Sequence, residues 1–149
     1  MLETILNDDK FAALMQKHVY ECVGYLLEND INFSVMANLS FVGFEPSLPD
    51  KITRTFTRPA IVFMLGGYTF ESAVLTPKML TFEAGFGSEN FASIVSVPLN
   101  AIVQIAVEDN PILVNFAIPK IRKQKDKSLQ KSISIFKSNP NNNKALSKK

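Results

Sequence analysis

The sequence predicts a mainly β, α+β domain: one long N-terminal helix, a small antiparallel barrel or sandwich, and a disordered basic tail. Three observations predict it. From Phe11 to Leu27 apolar side chains recur at spacings of three and four, the mark of one helix face. From Ile31 to Ile118 the chain breaks into short runs rich in β-branched and aromatic residues, punctuated by Gly, Pro and Asn. Such runs read as turn-linked strands, not as parallel strands joined by crossover helices. Beyond Pro119 the composition turns abruptly to Lys, Ser and Asn, a mixture too polar to bury a core. The expected division is therefore a domain over 1–118 and a tail over 119–149.

The helix is capped by Asn7 or Asp8, with Asp8 and Asp9 at its positive end, and Asn29 and Asp30 stop it. Its stripe is Phe11, Leu14, Met15, His18, Val19, Cys22, Val23, Leu26 and Leu27. Ala12, Ala13, Tyr20 and Tyr25 lie partly outside that stripe. A helix packed on its own sheet needs a single apolar face, so the surplus points to a dimer contact. Ile31 to Phe41 alternate apolar and polar residues, which predicts a half-buried strand or one strand bent midway.

Residues 43–51 read as a loop, with two prolines and a glycine. Ile52–Phe56 reads as a short edge strand limited by Pro59, and Ala60–Leu65 as a fully apolar strand. Residues 66–77 form a connection packed down on the body. Met79–Phe86 and Phe91–Val97 read as a hairpin across GSEN. After Pro98, the spacing of Leu99, Ile102, Val103, Ile105 and Ala106 predicts one or two helical turns. Residues 108–111 make a turn, and Ile112–Ile118 is the last strand.

Composition bounds the function. With 149 residues the chain can bury a core of its own, and none of its apolar runs has the length of a membrane span. The N-terminus lacks the basic-then-apolar order of a signal peptide. Together with a single cysteine, Cys22, this predicts a cytoplasmic protein without an intrachain disulfide. One histidine and one cysteine cannot make a His- or Cys-rich metal site. Nucleophile-elbow, phosphate-loop, zinc-protease and dinucleotide motifs are all absent from the sequence. His18 and Cys22 both fall on the apolar stripe, where a packed or interface role is expected. The prediction is a non-enzymatic protein without metal or cofactor.

Charge separates the two parts. Residues 1–118 hold 6 Lys or Arg against 13 Asp or Glu, a balance of −7, and residues 119–149 hold 10 against 1, a balance of +9. Within the tail, Ile133, Ile135 and Phe136 form an apolar island, with Ala145 and Leu146 a weaker one. Such an island is a candidate linear motif, or else an extra strand folded back on the domain.

In the body, Gly66 and Gly67 follow one strand while Ala84, Gly85 and Gly87 lie along and after another. Where side chains are this small a second backbone can approach closely. In a regular strand Phe82, Ala84 and Phe86 share one face, and Glu83 and Gly85 the other, which is nearly free of bulk. This is a groove for an extended peptide, and it holds no catalytic apparatus.

Several segments, in order, resemble the stringent starvation protein B (SspB) family, bacterial adaptors that deliver tagged proteins to the ClpXP protease. They are GYLLENDINFSVMANL, the IV of IVFML with its spacing to LTFEAGFG, VSVPLNAIVQIA and NPILVNF, together covering about residues 18–118. The resemblance implies an SH3/Sm-like β-barrel preceded by a dimerising helix, here through Phe11, Met15, His18, Val19 and Cys22. It also implies a groove for the ssrA tag of stalled translation products. One wall would be Phe63, Met64, Leu65, Gly66, Gly67, Tyr68 and Thr69, and the other Phe82, Glu83, Ala84, Gly85 and Phe86. The sequence departs from the family at Gly85, where many relatives have Arg, and at Ser88, where a second Gly is common. In the tail, Ile133, Ile135, Phe136 and Lys137 would engage the N-terminal domain of the ClpX unfoldase, with Lys144–Lys149 as the second candidate. Two other readings stand beside this one. One is an Sm-like barrel that binds RNA, against which the acidic body speaks; the other is a barrel for a different protein ligand.

Overall fold

The computed structural model describes residues 1–117, so the tail positions Ile133, Ile135, Phe136 and Lys137 lie outside the described residues. A short helix α1 (Leu2–Leu6) precedes α2 (Asp9–Glu28), the 20-residue helix expected from the stripe. The Asp8 carboxylate caps α2 by accepting from the Lys10 backbone N–H at 3.4 Å. Val19, Val23 and Leu26 are the stripe positions that α2 buries in the core.

The strands form two antiparallel four-stranded sheets, an α+β arrangement that does not close into a barrel. The first sheet is built from β1 (Phe33–Asn38), β3 (Ala60–Leu65), β7 (Ile102–Val107) and β8 (Asn110–Val114), in the order β3-β1-β7-β8. The second is built from β2 (Gly43–Glu45), β4 (Val74–Leu75), β5 (Met79–Phe86) and β6 (Phe91–Pro98), in the order β2-β6-β5-β4. Two further helices interrupt them, α3 (Asp50–Thr53) and α4 (Gly67–Glu71).

The sheets share one bent ribbon. β1 runs into β2 and β6 into β7, each through a three-residue 3-10 turn, Leu39–Phe41 and Leu99–Ala101. Ala37 faces Ile102 before the bend and Gly43 faces Ser96 after it, so the pairing register passes the corner without a slip. Each turn is tied to the start of a neighbouring strand: Leu39 N–H donates to Pro59 O at 2.8 Å, and Leu99 N–H to Lys78 O at 3.0 Å. Asn38 caps the first turn by accepting from Ser40 N–H at 3.1 Å.

The core lies between the sheets and under α2. Val35 and Ala37 of β1, Leu80 and Phe82 of β5, Val95 and Val97 of β6, and Ile102 and Ile105 of β7 are all fully or nearly fully buried. Where the chain leaves β8, the buried Asn115 anchors it. Its backbone N–H donates to Val103 O at 2.9 Å, its side-chain amide donates to Ile102 O at 3.1 Å, and its Oδ1 accepts from Ala117 N–H at 3.0 Å.

Four expectations are corrected here. The alternating run Ile31–Phe41 ends as a strand at Asn38, and the bend then feeds β2, a strand inside the segment read as a loop. Ile52–Phe56 is no edge strand: Pro49 opens the turn of helix α3, and Ile52 is buried there. Residues 102–107 form strand β7, not helical turns. A bulge in β7 at Val103, between the Met36–Gln104 and Ala37–Ile102 pairs, breaks the period of two, so the buried Ile102, Ile105 and Ala106 fall three and one apart, a spacing that mimics a helix. The strand expected over Ile112–Ile118 runs from Asn110 to Val114, the last of eight strands among the described residues.

Phe82 is 1 % exposed and packs edge-on against Phe63 with ring centroids 5.4 Å apart. Phe82→Ala is expected to lower unfolding free energy by about 3–5 kcal/mol, measured by urea denaturation. A surface position there would change stability by only about 0.5 kcal/mol.

Candidate functional site

β5 is eight residues long, while β4, its partner on the outer side, has only two. β4 pairs with Leu80 and Thr81 and leaves the edge from Phe82 to Phe86 without a strand. The outer edge of β3 likewise has no strand beside it among the described residues, where β3 pairs with β1. Among the described residues no strand pairing joins β3 to β5. The Phe63–Phe82 contact spans the two strands from below, and α4, which leaves the end of β3, packs against β5 as well. α4 thus lies beside both β3 and β5, and this region is the seam.

Alternation along β5 decides what the seam presents. Leu80 and Phe82 turn into the core, whereas Thr81, Glu83 and Gly85 share the opposite phase. Main-chain groups alternate between the two edges in the same way. Thr81 faces Val74 of β4, and the Glu83 N–H, on that same edge, donates to Ser72 Oγ at 2.9 Å. Gly85 is the next residue in this phase, so its N–H and C=O point along the open edge. An exposed strand edge of this kind is a template for another backbone.

Side chains at the seam fall into two groups. Met64 and Tyr68 stand out at 69 % and 66 % exposed, with Val62 beside Met64 on the outer face of β3. Gly67 has φ +57° and nothing within 4 Å of where a Cβ would stand, so glycine makes this turn possible without strain. Gly66 and Thr69 are half-buried, as are Ala84 and Phe86. Phe63, Leu65 and Phe82 are corrected: all three side chains belong to the core, because β-strand alternation turns them inward. They support the seam from beneath and do not line it.

Two asparagines flank the glycines of the seam. The Asn32 amide lies 3.4 Å from a Cβ built on Gly66, and the Asn90 side chain occupies the space a Cβ on Gly85 would need. Gly85 is thus required by the close approach of Asn90. Any larger residue at this position would displace that side chain.

One polar pair crosses the end of the seam. The Tyr68 hydroxyl donates to Glu83 Oε1 at 2.7 Å. That bond, and then the carboxylate's charge, hold the tyrosine pKa above its ordinary value, since only the neutral hydroxyl can donate.

On α2 the proposed contact surface divides. Val19 is fully buried in the core of its own domain and is removed from that surface. Phe11, Met15 and Cys22 are half-buried and His18 is exposed; burial also pushes the Cys22 thiol pKa up. Leu14, a stripe position, and Tyr25, from the surplus surface, are the large apolar residues that α2 exposes.

Sequence reasoning missed two concavities beside α2. One, of about 490 Å³, lies between the end of α2 and α4 and is lined by Leu27, Asn32 and Phe70 with Asp30 and Glu71. The other, of about 400 Å³, is lined by Tyr20, Gly24 and Leu75 with Glu21 and Glu28. Among the described residues, no group of three or more His, Cys, Asp or Glu side chains is placed to hold a metal ion, and no helix is long and apolar enough to cross a membrane.

In a Tyr20→Phe, Tyr25→Phe background, titration of Tyr68 by ultraviolet absorbance is expected to run above the ordinary tyrosine range. Glu83→Gln should bring it down toward that range. The bond's contribution is present below the ordinary tyrosine pKa and lost as pH rises through the raised one. A scan against models of protein families finds no match to this chain, and a search of curated proteins finds none either.

Proposed function

We propose that this protein is a non-enzymatic adaptor that binds ssrA-type degradation tags and brings tagged polypeptides to the ClpXP protease. The observation that carries the reading is the seam: among the described residues, strand edges of β3 and β5 without a partner, with α4 beside both, and a Gly85 that has no side chain of its own. An extended peptide laid along β5 would take up the free Gly85 main-chain groups, as strand-recognising domains do. Met64 and Val62 would give its side chains apolar contact. In this reading the two-sheet body is an SH3/Sm-like barrel left open where the tag enters.

The rest of the adaptor reading follows the resemblance to the SspB family. The tail, through Ile133, Ile135, Phe136 and Lys137, would contact the unfoldase, so that a weakly held tag gains a high effective concentration at the protease. A second copy would pair through the outer face of α2, where Leu14, His18 and Tyr25 stand exposed beside Phe11, Met15 and Cys22. Two tails per assembly would then add avidity. The protein would act in the cytoplasm.

Fluorescence anisotropy with a labelled ssrA-type peptide tests the groove. Saturable binding at micromolar protein is expected, and its absence at high micromolar protein overturns the reading. Met64→Ala should weaken binding by about fivefold with little change in stability, because the side chain is exposed. Truncation after Ile118 should leave peptide binding intact and abolish stimulated degradation of a tagged substrate.

A further inference from the structure

Resting on the peptide-groove reading, the geometry points to a charge preference within it: we infer that Glu83 selects a peptide carrying a Lys or Arg side chain beside Gly85. Three observations combine. Glu83 has no cationic partner, since the ion pair found among the described residues is Lys51–Glu89. Its Oε1 accepts from Tyr68, while Oε2 accepts from none of the described residues. The domain around it carries the −7 balance of residues 1–118, which favours a cationic ligand over an acidic one.

Placement sets the length of the side chain. Ser72 Oγ already occupies the edge at the Glu83 N–H, so an added strand begins its pairing at Gly85. A peptide residue opposite Gly85 then stands diagonal to Glu83, about 7–8 Å away, a separation that long side chains span. Gly85 has no side chain of its own, and the Asn90 amide lies over it, so a chain that reaches Glu83 must be long enough to pass beside that amide. Lys and Arg have the reach and the charge; a short polar residue has neither. Tyr68, bonded to one carboxylate oxygen, holds Glu83 in place and leaves the other oxygen to receive the cation.

The test uses the full-length protein and fluorescein-labelled ssrA-type peptides identical but for one inner residue, scanned along the peptide as Lys, Gln or Glu. At one position Lys is expected to bind about three- to tenfold more tightly than Gln, and Glu more weakly than both. The advantage should shrink as salt rises. Glu83→Gln, close to isosteric and retaining the main-chain bond to Ser72, should erase the Lys advantage, so that the Lys and Gln peptides bind equally. Glu83→Lys should reverse the order. Binding that is indifferent to charge at every position, or a Lys advantage that survives in Glu83→Gln, overturns the preference and leaves the groove standing. Failure of every peptide to bind overturns both.

Discussion

The antiparallel ribbon that bends through both sheets sets every other position in the domain. With the register kept from Ala37–Ile102 to Gly43–Ser96, the inward phase of β1 and β7 stays inward in β6, and one continuous core can form. One extra residue beside the corner, Val103 of β7, is taken up as a bulge opposite Met36 and Ala37, so Ile102 and Ile105 both stay inward. The two 3-10 turns absorb the change of direction, and each holds the start of the next pairing strand through one backbone bond, at Pro59 for β3 and at Lys78 for β5. β3 and β5 are therefore placed by the corner, on opposite flanks of the ribbon.

From that placement the seam follows. β3 takes its partner from one side of the ribbon and β5 from the other, so neither supplies the other's outer edge. The connection between them spends its residues on α4 and on a two-residue β4, which covers β5 only as far as Thr81. Ser72, at the end of α4, satisfies one more donor, the Glu83 N–H. What remains is one turn of pattern, centred on Gly85, where the backbone has no strand partner among the described residues. Exposed edges are normally blunted by charge, proline or coverage. Here Glu83 and Tyr68 guard the end and the flank stays bare.

Much of this was legible in the sequence, and the reason differs by element. α2 announces itself by long periodicity and an aspartate cap, and the β5–β6 hairpin by two clean runs across a polar turn. The outward phase of Glu83 and Gly85 was readable from alternation alone. The same alternation should have excluded Phe63, Leu65 and Phe82 from the groove, since large aromatic and aliphatic residues at every second position go to the core. β7 was hidden by its bulge, and also by the turn that follows it. Glu108 and Asp109 both adopt positive φ, at 52° and 66°, without the glycine that usually marks such a hairpin. β2 was hidden by brevity: a three-residue strand has no period to detect. The concavities beside α2 depend on how the helix lies against α4 and β4, which no local pattern encodes.

Why the seam, and not those concavities, is the proposed peptide site turns on the backbone. Apolar lining and acidic rims, as at Leu27 with Asp30 and Glu71, attract many solutes weakly and with little geometric demand. An unpaired strand edge makes a stricter request: a donor and an acceptor at fixed spacing, which an extended chain meets at every second residue. Such contacts are nearly independent of sequence, so discrimination must come from side chains beside the edge. Met64 and Val62 supply apolar area that tolerates many partners. Glu83 is different, because a carboxylate held by a tyrosine favours one sign of charge and disfavours the other. Affinity from main chain and selectivity from one acidic residue is a division of labour that a small domain can build without an enclosed pocket.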